Sequence, residues 1–116
     1  MIIARIKLIA HSAKRKEVSL TLDALQKMIR RTKGCLDCRI LISCDNENEF
    51  FLVEEWESRK LLDVHLQSEL FAVLLGIRPL LRKSLQMNVD TIAKREKNEI
   101  VESVRAWASP LQDNNI

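Results

Sequence analysis

The stretch from residue 50 to residue 75, FFLVEEWESRKLLDVHLQSELFAVLL, constrains the fold most, because its apolar pattern changes from a period of two to helical spacing. Side chains alternate across a strand, so Glu54 and Trp56 are expected on one face of the strand that begins the stretch. Ser58 and Ser68 are favourable N-cap residues, and apolar residues follow each of them at helical spacing. The stretch therefore predicts a strand that leads directly into two short helices.

The segments on either side complete an α+β arrangement. Residues 2–9 alternate and predict a first strand, and the apolar spacing over residues 13–32 predicts an amphipathic helix. Residues 35–44 alternate again, and a polar turn connects them to the central strand as a hairpin. Residues 85–91 predict a fourth strand. The element order is β-α-β-β-α-β, which is that of a ferredoxin-like antiparallel sheet with helices on one face.

Two apolar surfaces have no cover in this arrangement. Phe51 and Val53 make the central strand apolar on both faces, which a sheet with one wet face does not need. A second copy of the chain is the simplest cover, so we expect a homodimer whose sheets face each other. A last helix, starting near Asn98 and ending before Pro110, is expected to dock on its own subunit or on the partner. Its apolar stripe consists of Ile100, Val101, Val104, Trp107 and Ala108.

Composition and charge favour an ordinary single globular domain. The chain has 116 residues, of which 47% are hydrophobic and 30% charged. Arg5 and Lys7 interrupt the apolar N-terminal segment, which is therefore a poor signal peptide and too short to span a bilayer. These features predict a cytoplasmic protein with no membrane partner. The net charge is +3, in small basic groups offset by acidic runs, which favours solvated surface charges over nucleic-acid binding.

The three cysteines, Cys35, Cys38 and Cys44, are expected to be reduced thiols, since they cannot all pair within one chain. Cys35 and Cys38 spell C-x-x-C, a spacing that invites a redox or zinc interpretation. If the segment is a strand, however, the two thiols project from opposite faces, and the sequence offers no obvious second pair of zinc ligands. We therefore expect small apolar side chains here and no metal site.

Three segments of the chain stand out together: Gly34-Cys35, Glu54-Glu55-Trp56-Glu57-Ser58 and His65-Leu66-Gln67-Ser68. With them the chain resembles the antibiotic biosynthesis monooxygenase family, which includes bacterial quinol monooxygenases. The resemblance covers roughly residues 1–95, so we divide the chain into a family-like domain at 1–97 and a C-terminal helix and tail at 98–116. It implies a dimeric α+β barrel with a pocket between sheet and helices in each subunit. For some members it also implies oxygenation of quinol-like aromatics by molecular oxygen without metal or flavin.

Such chemistry needs a dry apolar pocket, a base, and a hydrogen-bond donor for the developing oxyanion. We predict that His65 is the base and that Trp56 forms a wall of the pocket and donates its indole N–H. Glu54, on the strand face of Trp56, is predicted to orient the imidazole. Arg39 and Asn88, on neighbouring strands, are weaker candidates for holding an oxygen. The ligand is then a small apolar aromatic molecule, and no cofactor is required.

Two other functions remain open. The chain fits a non-catalytic dimeric module of the same fold that binds an apolar ligand or a partner, with Trp56 and His65 as core or interface residues. Haem degradation, a further activity that the resemblance implies, needs an axial histidine on the second helix. The helix at residues 70–75 contains none, which leaves His65 as the only plausible ligand.

Overall fold

One antiparallel four-stranded sheet with helices packed on one face forms the body of the protein. The computed structural model describes residues 1–108. The strands are β1 (Ile2–Ile9), β2 (Cys35–Ile42), β3 (Glu49–Trp56) and β4 (Gln86–Thr91), in the order β2-β3-β1-β4. The helices are α1 (Arg15–Arg30), α2 (Arg59–Leu66), α3 (Glu69–Leu75) and α4 (Glu99–Arg105). This is the predicted ferredoxin-like α+β fold, with the second helical region divided into α2 and α3.

The core lies between the inner face of the sheet and the helices. Alternate residues of β1 are buried, and the apolar residues of α1 at intervals of three and four are buried against them. These inward residues are Ile2, Ala4, Ile6 and Leu8 of β1 and Val18, Leu22, Leu25 and Ile29 of α1. No helix within residues 1–108 has the length and apolar character needed to cross a membrane.

Two serine caps divide the segment after β3 into separate helices, as predicted. The Ser58 Oγ accepts a hydrogen bond from the Leu61 N–H at 3.3 Å and starts α2. The Ser68 Oγ accepts one from the Phe71 N–H at 3.2 Å and starts α3. Each cap satisfies a helix N–H that has no partner within the helix. The break at Ser68 lets α2 pack on β3 while α3 packs on α1 and α2.

Gly34 joins α1 to β2 in a backbone conformation that only glycine adopts easily. Its φ is +90°, and a Cβ built there would lie 2.6 Å from the Leu61 Cβ. The Gly34 carbonyl also accepts a hydrogen bond from the Glu57 N–H at 2.9 Å. The turn before β2 is thus held directly against the start of α2.

Replacing Gly34 with alanine is expected to destabilise the fold by about 2–5 kcal/mol, because a left-handed backbone costs about 1–2 kcal/mol and overpacking costs about 1–3 kcal/mol. Urea unfolding of Gly34→Ala against wild type measures this loss. Gly76→Ala is the matched control. Gly76 has a right-handed φ of −65°, so its change is expected to stay below about 1 kcal/mol. Equal losses in the two variants would contradict the role given to Gly34.

A bulge at the start of β2 corrects one sequence prediction. Cys35 pairs with Trp56 and Cys38 with Glu54, with a register shift between Cys35 and Asp37. The extra residue shifts the alternation by one, so both thiols lie on the inner face and not on opposite faces as predicted. Burial raises the pKa of Cys35 to about 11 and that of Cys38 to about 12. Both thiols therefore remain protonated near neutral pH.

Helix α4 extends away from the core. Every residue from 99 to 108 is exposed, and the Trp107 side chain is 85% exposed. The expectation that this helix docks on its own subunit is therefore wrong for the described residues, while docking on a partner stays a prediction. Asn98 occupies the N-cap position but makes no side-chain capping bond. The predicted stop at Pro110 lies outside the described residues.

Candidate active site

Strand β3 and helix α2 bring the three predicted site residues together. Glu54 and Trp56 lie on the inner face of β3, two residues apart, as the alternation predicts. His65 lies in the last turn of α2 and packs against the same strand end. Glu54 and Trp56 are 0% exposed and His65 is 1% exposed. A carboxyl group and an imidazole are thus enclosed within the apolar core.

The three side chains form one connected cluster. The Trp56 Nε1–H donates a hydrogen bond to the Glu54 Oε1 at 2.9 Å, and the same oxygen lies 3.6 Å from the His65 Nε2. The Trp56 and His65 rings stack with centroids 4.7 Å apart and an interplanar angle of 28°. The Phe71 ring meets the imidazole edge-on at 5.7 Å. The indole N–H, predicted as a donor to substrate, instead holds the carboxylate in this structure.

The cluster contains hydrogen-bonding atoms that the fold does not satisfy. The Glu54 Oε2 and both ring nitrogens of His65 are buried without a hydrogen-bond partner among the described residues. A buried polar atom without a partner costs about 1–3 kcal/mol, and native proteins contain few of them. Because His65 Nε2 faces Glu54, its Nδ1 is the nitrogen left free for another group.

Burial shifts the ionisation of both groups towards neutrality. It raises the pKa of Glu54 to about 7, although the hydrogen bond from Trp56 opposes the shift. It lowers the pKa of His65 below its ordinary value. Near neutral pH the imidazole is therefore uncharged and able to accept a proton, while Glu54 is close to the midpoint of its titration.

This titration should appear in the pH dependence of folding. The raised pKa means that folded Glu54 holds its proton more tightly than unfolded Glu54, so its contribution to stability falls as pH rises from about 4.5 to about 7. Glu54→Gln removes the titrating group. We expect the difference in unfolding free energy between variant and wild type to move by about 2–3 kcal/mol in favour of the variant between pH 5 and pH 8. Urea unfolding at both pH values measures it, and a constant difference would contradict the buried carboxyl.

Two neighbours of the cluster were not predicted from the sequence. Phe71 contacts His65 across the break between α2 and α3, and Cys38 lies beside Glu54 on the adjacent strand. The Ser68 cap could have indicated Phe71, because the cap fixes where α3 begins and therefore which of its side chains face α2. Cys38 lies opposite Glu54 because of the register of the β2–β3 hairpin, which the sequence pattern alone does not determine. Both side chains help to exclude water from the carboxyl and the imidazole.

Arg39 and Asn88 do not belong to this site. Arg39 pairs in register with Val53, and Asn88 pairs with Arg5, so both lie on the outer face of the sheet. Both side chains are exposed, and Arg39 forms an ion pair with Asp37 at 2.8 Å. The expectation that they hold an oxygen beside His65 is wrong, because the alternation of β2 and β4 directs them away from the helices.

The cluster does not fit a haem. An axial ligand must present a ring nitrogen to a cavity large enough for the macrocycle. Trp56 covers one face of the His65 ring, Phe71 approaches it edge-on, and the imidazole is 1% exposed. The arrangement instead suits proton transfer within a dry core.

The protein is therefore of the ferredoxin-like α+β class, with a carboxyl–imidazole–indole cluster buried under two short helices. The profile of the family described as antibiotic biosynthesis monooxygenase matches residues 1–74. The chain belongs to that family. Comparison with curated proteins gives no match.

Solved structures share the fold at low sequence identity. A candidate antibiotic biosynthesis monooxygenase of Deinococcus radiodurans is 16% identical, with a TM-score of 0.78 over 84% of this chain and 97% of its own. Rv0793 of Mycobacterium tuberculosis is 22% identical, with a TM-score of 0.76 over 83% and 98%. A candidate antibiotic biosynthesis monooxygenase of Nitrosomonas europaea is 15% identical, with a TM-score of 0.75 over 81% and 100%. At these identities the likeness establishes the fold.

Proposed function

We propose that the chain is a cofactor-independent monooxygenase that oxidises a quinol-like or polycyclic aromatic molecule with molecular oxygen. The observation that carries the proposal is the buried Glu54–His65 pair, whose Oε2 and Nδ1 have no partner among the described residues. Strongly perturbed ionisable groups in an apolar setting are typical of acid–base sites. Membership of the monooxygenase family supports the same conclusion.

Each residue then has a distinct role. The His65 Nδ1 accepts the proton of the substrate hydroxyl or activated C–H group, and Glu54, on the other side of the ring, stabilises the imidazolium that forms. Trp56 positions Glu54 through its indole N–H and also stacks on the imidazole. Glu54 and Trp56 thus act through His65, as an orienting carboxylate and its support.

The substrate anion supplies the electrons that oxygen needs. A ring CH₂ group of an anthrone-type substrate reacts with O₂ to give a carbonyl group and water. A benzoquinol reacts with O₂ to give a hydroxyquinone and water. One oxygen atom enters the product in each case, and no external reductant is consumed. The apolar core favours this step because it excludes the water that would solvate the anion and the imidazolium.

Substrate access requires the two short helices to move. His65 is enclosed by α2, α3 and the end of β3. Helices α2 and α3 contain eight and seven residues, and the capped break at Ser68 separates them. Short helices joined in this way can shift without unfolding the sheet, so displacement of α2 and α3 would expose the imidazole to a ligand.

Oxygen consumption tests the proposal. Wild-type protein is assayed in an oxygen electrode with a panel of benzoquinols, naphthoquinols and anthrones, with and without a chelator. We expect uptake of one O₂ per substrate molecule, unchanged by the chelator and by added flavin. No uptake above the uncatalysed rate across the panel would overturn the enzyme proposal.

One observation favours a second candidate, a non-catalytic module of the same fold that binds an apolar ligand or a partner. Glu54, Trp56 and His65 are at most 1% exposed, and none of them lines the clefts of about 460 and 490 Å³. In that case the cluster is a polar part of the core, and the module binds quinols without consuming oxygen. Binding without turnover in the same assay would select this function.

We further propose that the working assembly is a homodimer. The outer face of the sheet carries half-buried apolar side chains on its two central strands, alternating along β1 with Arg5, which pairs with Asp90, and with Lys7. The apolar residues are Ile3, Ile9, Phe51 and Val53. Protein interfaces commonly combine apolar contacts with polar and charged groups in this way. A second copy would cover this face, and its surface would also offer a place for the exposed stripe of α4.

A further inference from the structure

Three loops meet at the end of the sheet opposite the Glu54–His65 cluster. Trp56 pairs with Ile2 at one end of β1, whereas Glu49 pairs with Ile9 at the other. Beyond Ile9, the Ala10 N–H donates to the Asn48 carbonyl at 2.9 Å. The His11 N–H donates to the Leu80 carbonyl at 3.0 Å, and the Arg82 N–H donates to the Ile9 carbonyl at 2.8 Å. These bonds fix the segment around Arg82 to the end of the sheet.

Two adjoining clefts open at this end and share Arg82. One, of about 460 Å³, is lined by Arg78, Lys83 and Ser84 as well as Arg82. The other, of about 490 Å³, is lined by His11, Lys14 and Asn48 among its polar residues. Clefts of about 300–1,000 Å³ are the size that small-molecule ligands occupy. A loop held by backbone hydrogen bonds to a sheet is a suitable frame for a binding site.

The charge of these clefts has one sign. No carboxylate from residues 1–108 lines either of them, although the whole chain has 16 acidic residues against 19 basic ones. Among the described residues, Arg78, Arg82 and Lys83 form no ion pair, whereas some other surface cations do. The paired cations include Arg5, Arg39 and Arg59. Lys14 of the second cleft pairs with Glu17 at 3.3 Å, so the positive charge available to a ligand is that of Arg78, Arg82 and Lys83.

The second cleft also contains a polar group that lacks a partner. The Asn48 Oδ1 is buried without a hydrogen-bond partner among the described residues. The cleft thus combines cationic side chains with an amide oxygen that can accept a hydrogen bond from a ligand hydroxyl.

We propose that these clefts bind the phosphate group of a small phosphorylated molecule, a phosphate monoester or diphosphate. The fork of an arginine guanidinium matches the oxygens of a phosphate, and two arginines with a lysine can balance its double charge. A concave site of this size fits a small molecule better than a long polyanion, which needs an extended basic face. This binding function is separate from the proposed oxygenation, since the clefts and His65 lie at opposite ends of the sheet.

Calorimetric titration with pyrophosphate at low and moderate salt tests the proposal. We expect saturable binding that weakens with salt and that Arg82→Gln weakens about 10- to 100-fold, as for the loss of hydrogen bonds between charged groups. Lys83→Gln should also weaken it. Arg59→Gln is the matched control, because it removes the same charge from α2, where Arg59 pairs with Asp63. The control should bind like wild type. All of these side chains are exposed, so the fold should tolerate each change.

Three results would overturn the proposal. The first is the absence of saturable binding of pyrophosphate at millimolar concentration. The second is an equal loss of affinity in Arg82→Gln and Arg59→Gln, which would show only a general effect of net charge. The third comes from sedimentation with phosphatidylcholine vesicles that contain phosphatidic acid. Binding to these vesicles without binding to pyrophosphate would assign the phosphate chemistry to a membrane surface instead of a small molecule.

Discussion

Substituting His65 with alanine is expected to lower quinol-dependent oxygen consumption by about 10²–10⁴-fold, the usual effect of removing a general base. The loss should fall mainly on kcat, because the imidazole acts in the proton-transfer step and not in ground-state binding. The cavity left in the core makes a stability loss unavoidable, so His65→Gln, which conserves more volume, is the second variant. Gln67→Ala, an exposed change two residues further along the chain, is the control and should retain full activity.

The pH profile distinguishes the two groups that could serve as base. If His65 accepts the proton, activity should fall on the acid side with a midpoint below about 6.5, since burial lowers its pKa. If Glu54 accepts it, the midpoint should lie near 7, to which burial raises the pKa of that carboxyl. Full activity in both His65 variants would remove the assignment. An acid limb near 7 that disappears in Glu54→Gln, with activity retained in both His65 variants, would transfer the role of base to Glu54.

The sequence was sufficient to predict the fold because each element carries its own local signal. Alternation predicted β1 over its full observed extent, and the spacing of apolar residues predicted which side of α1 is buried. Ser58 and Ser68 marked both helix starts, since a serine cap is a local contact that spacing reveals. These signals need no knowledge of distant contacts, which explains why they agree with the structure.

The errors come from features that depend on long-range pairing. The bulge in β2 reverses the expected face of Cys35, and a strand read alone does not show an extra residue in its pairing. Arg39 and Asn88 were candidates for the site because they lie on neighbouring strands. The strand register, which the sequence does not show, directs both side chains to the outer face of the sheet. The apolar stripe of α4 predicted a docked helix, but the stripe cannot indicate which surface would receive it.

For the candidate site, the sequence predicted the members but not their connections. The two-residue spacing of Glu54 and Trp56 places them on one face of β3, and the Ser58 cap sets the position of His65 on α2. The hydrogen bond from the indole to the carboxylate depends on side-chain rotamers, which no spacing determines. The same is true of the unpartnered nitrogens of His65. The chemical proposal rests on those two details.

Placing a charge at the centre of the outer sheet face is expected to separate the proposed dimer. Phe51 lies in the middle of β3, with Leu41 and Lys7 opposite it on the neighbouring strands. A buried interface aromatic commonly contributes about 2 kcal/mol or more. In a two-fold dimer each substitution occurs twice, so Phe51→Asp should weaken association by about 10³-fold or more. Light scattering after size exclusion should show the mass change from twice 13.4 kDa to 13.4 kDa at micromolar concentration.

Leu20→Asp is the matched control for this experiment. Leu20 is 62% exposed on α1, so the change removes the same kind of surface apolar group and adds the same charge, away from the outer sheet face. It should leave the dimer intact if the sheets face each other. Dissociation by Leu20→Asp and not by Phe51→Asp would place the interface on the helices instead. A wild-type protein that is monomeric at micromolar concentration would contradict the dimer itself, and Phe51 and Val53 would then need another partner to cover them.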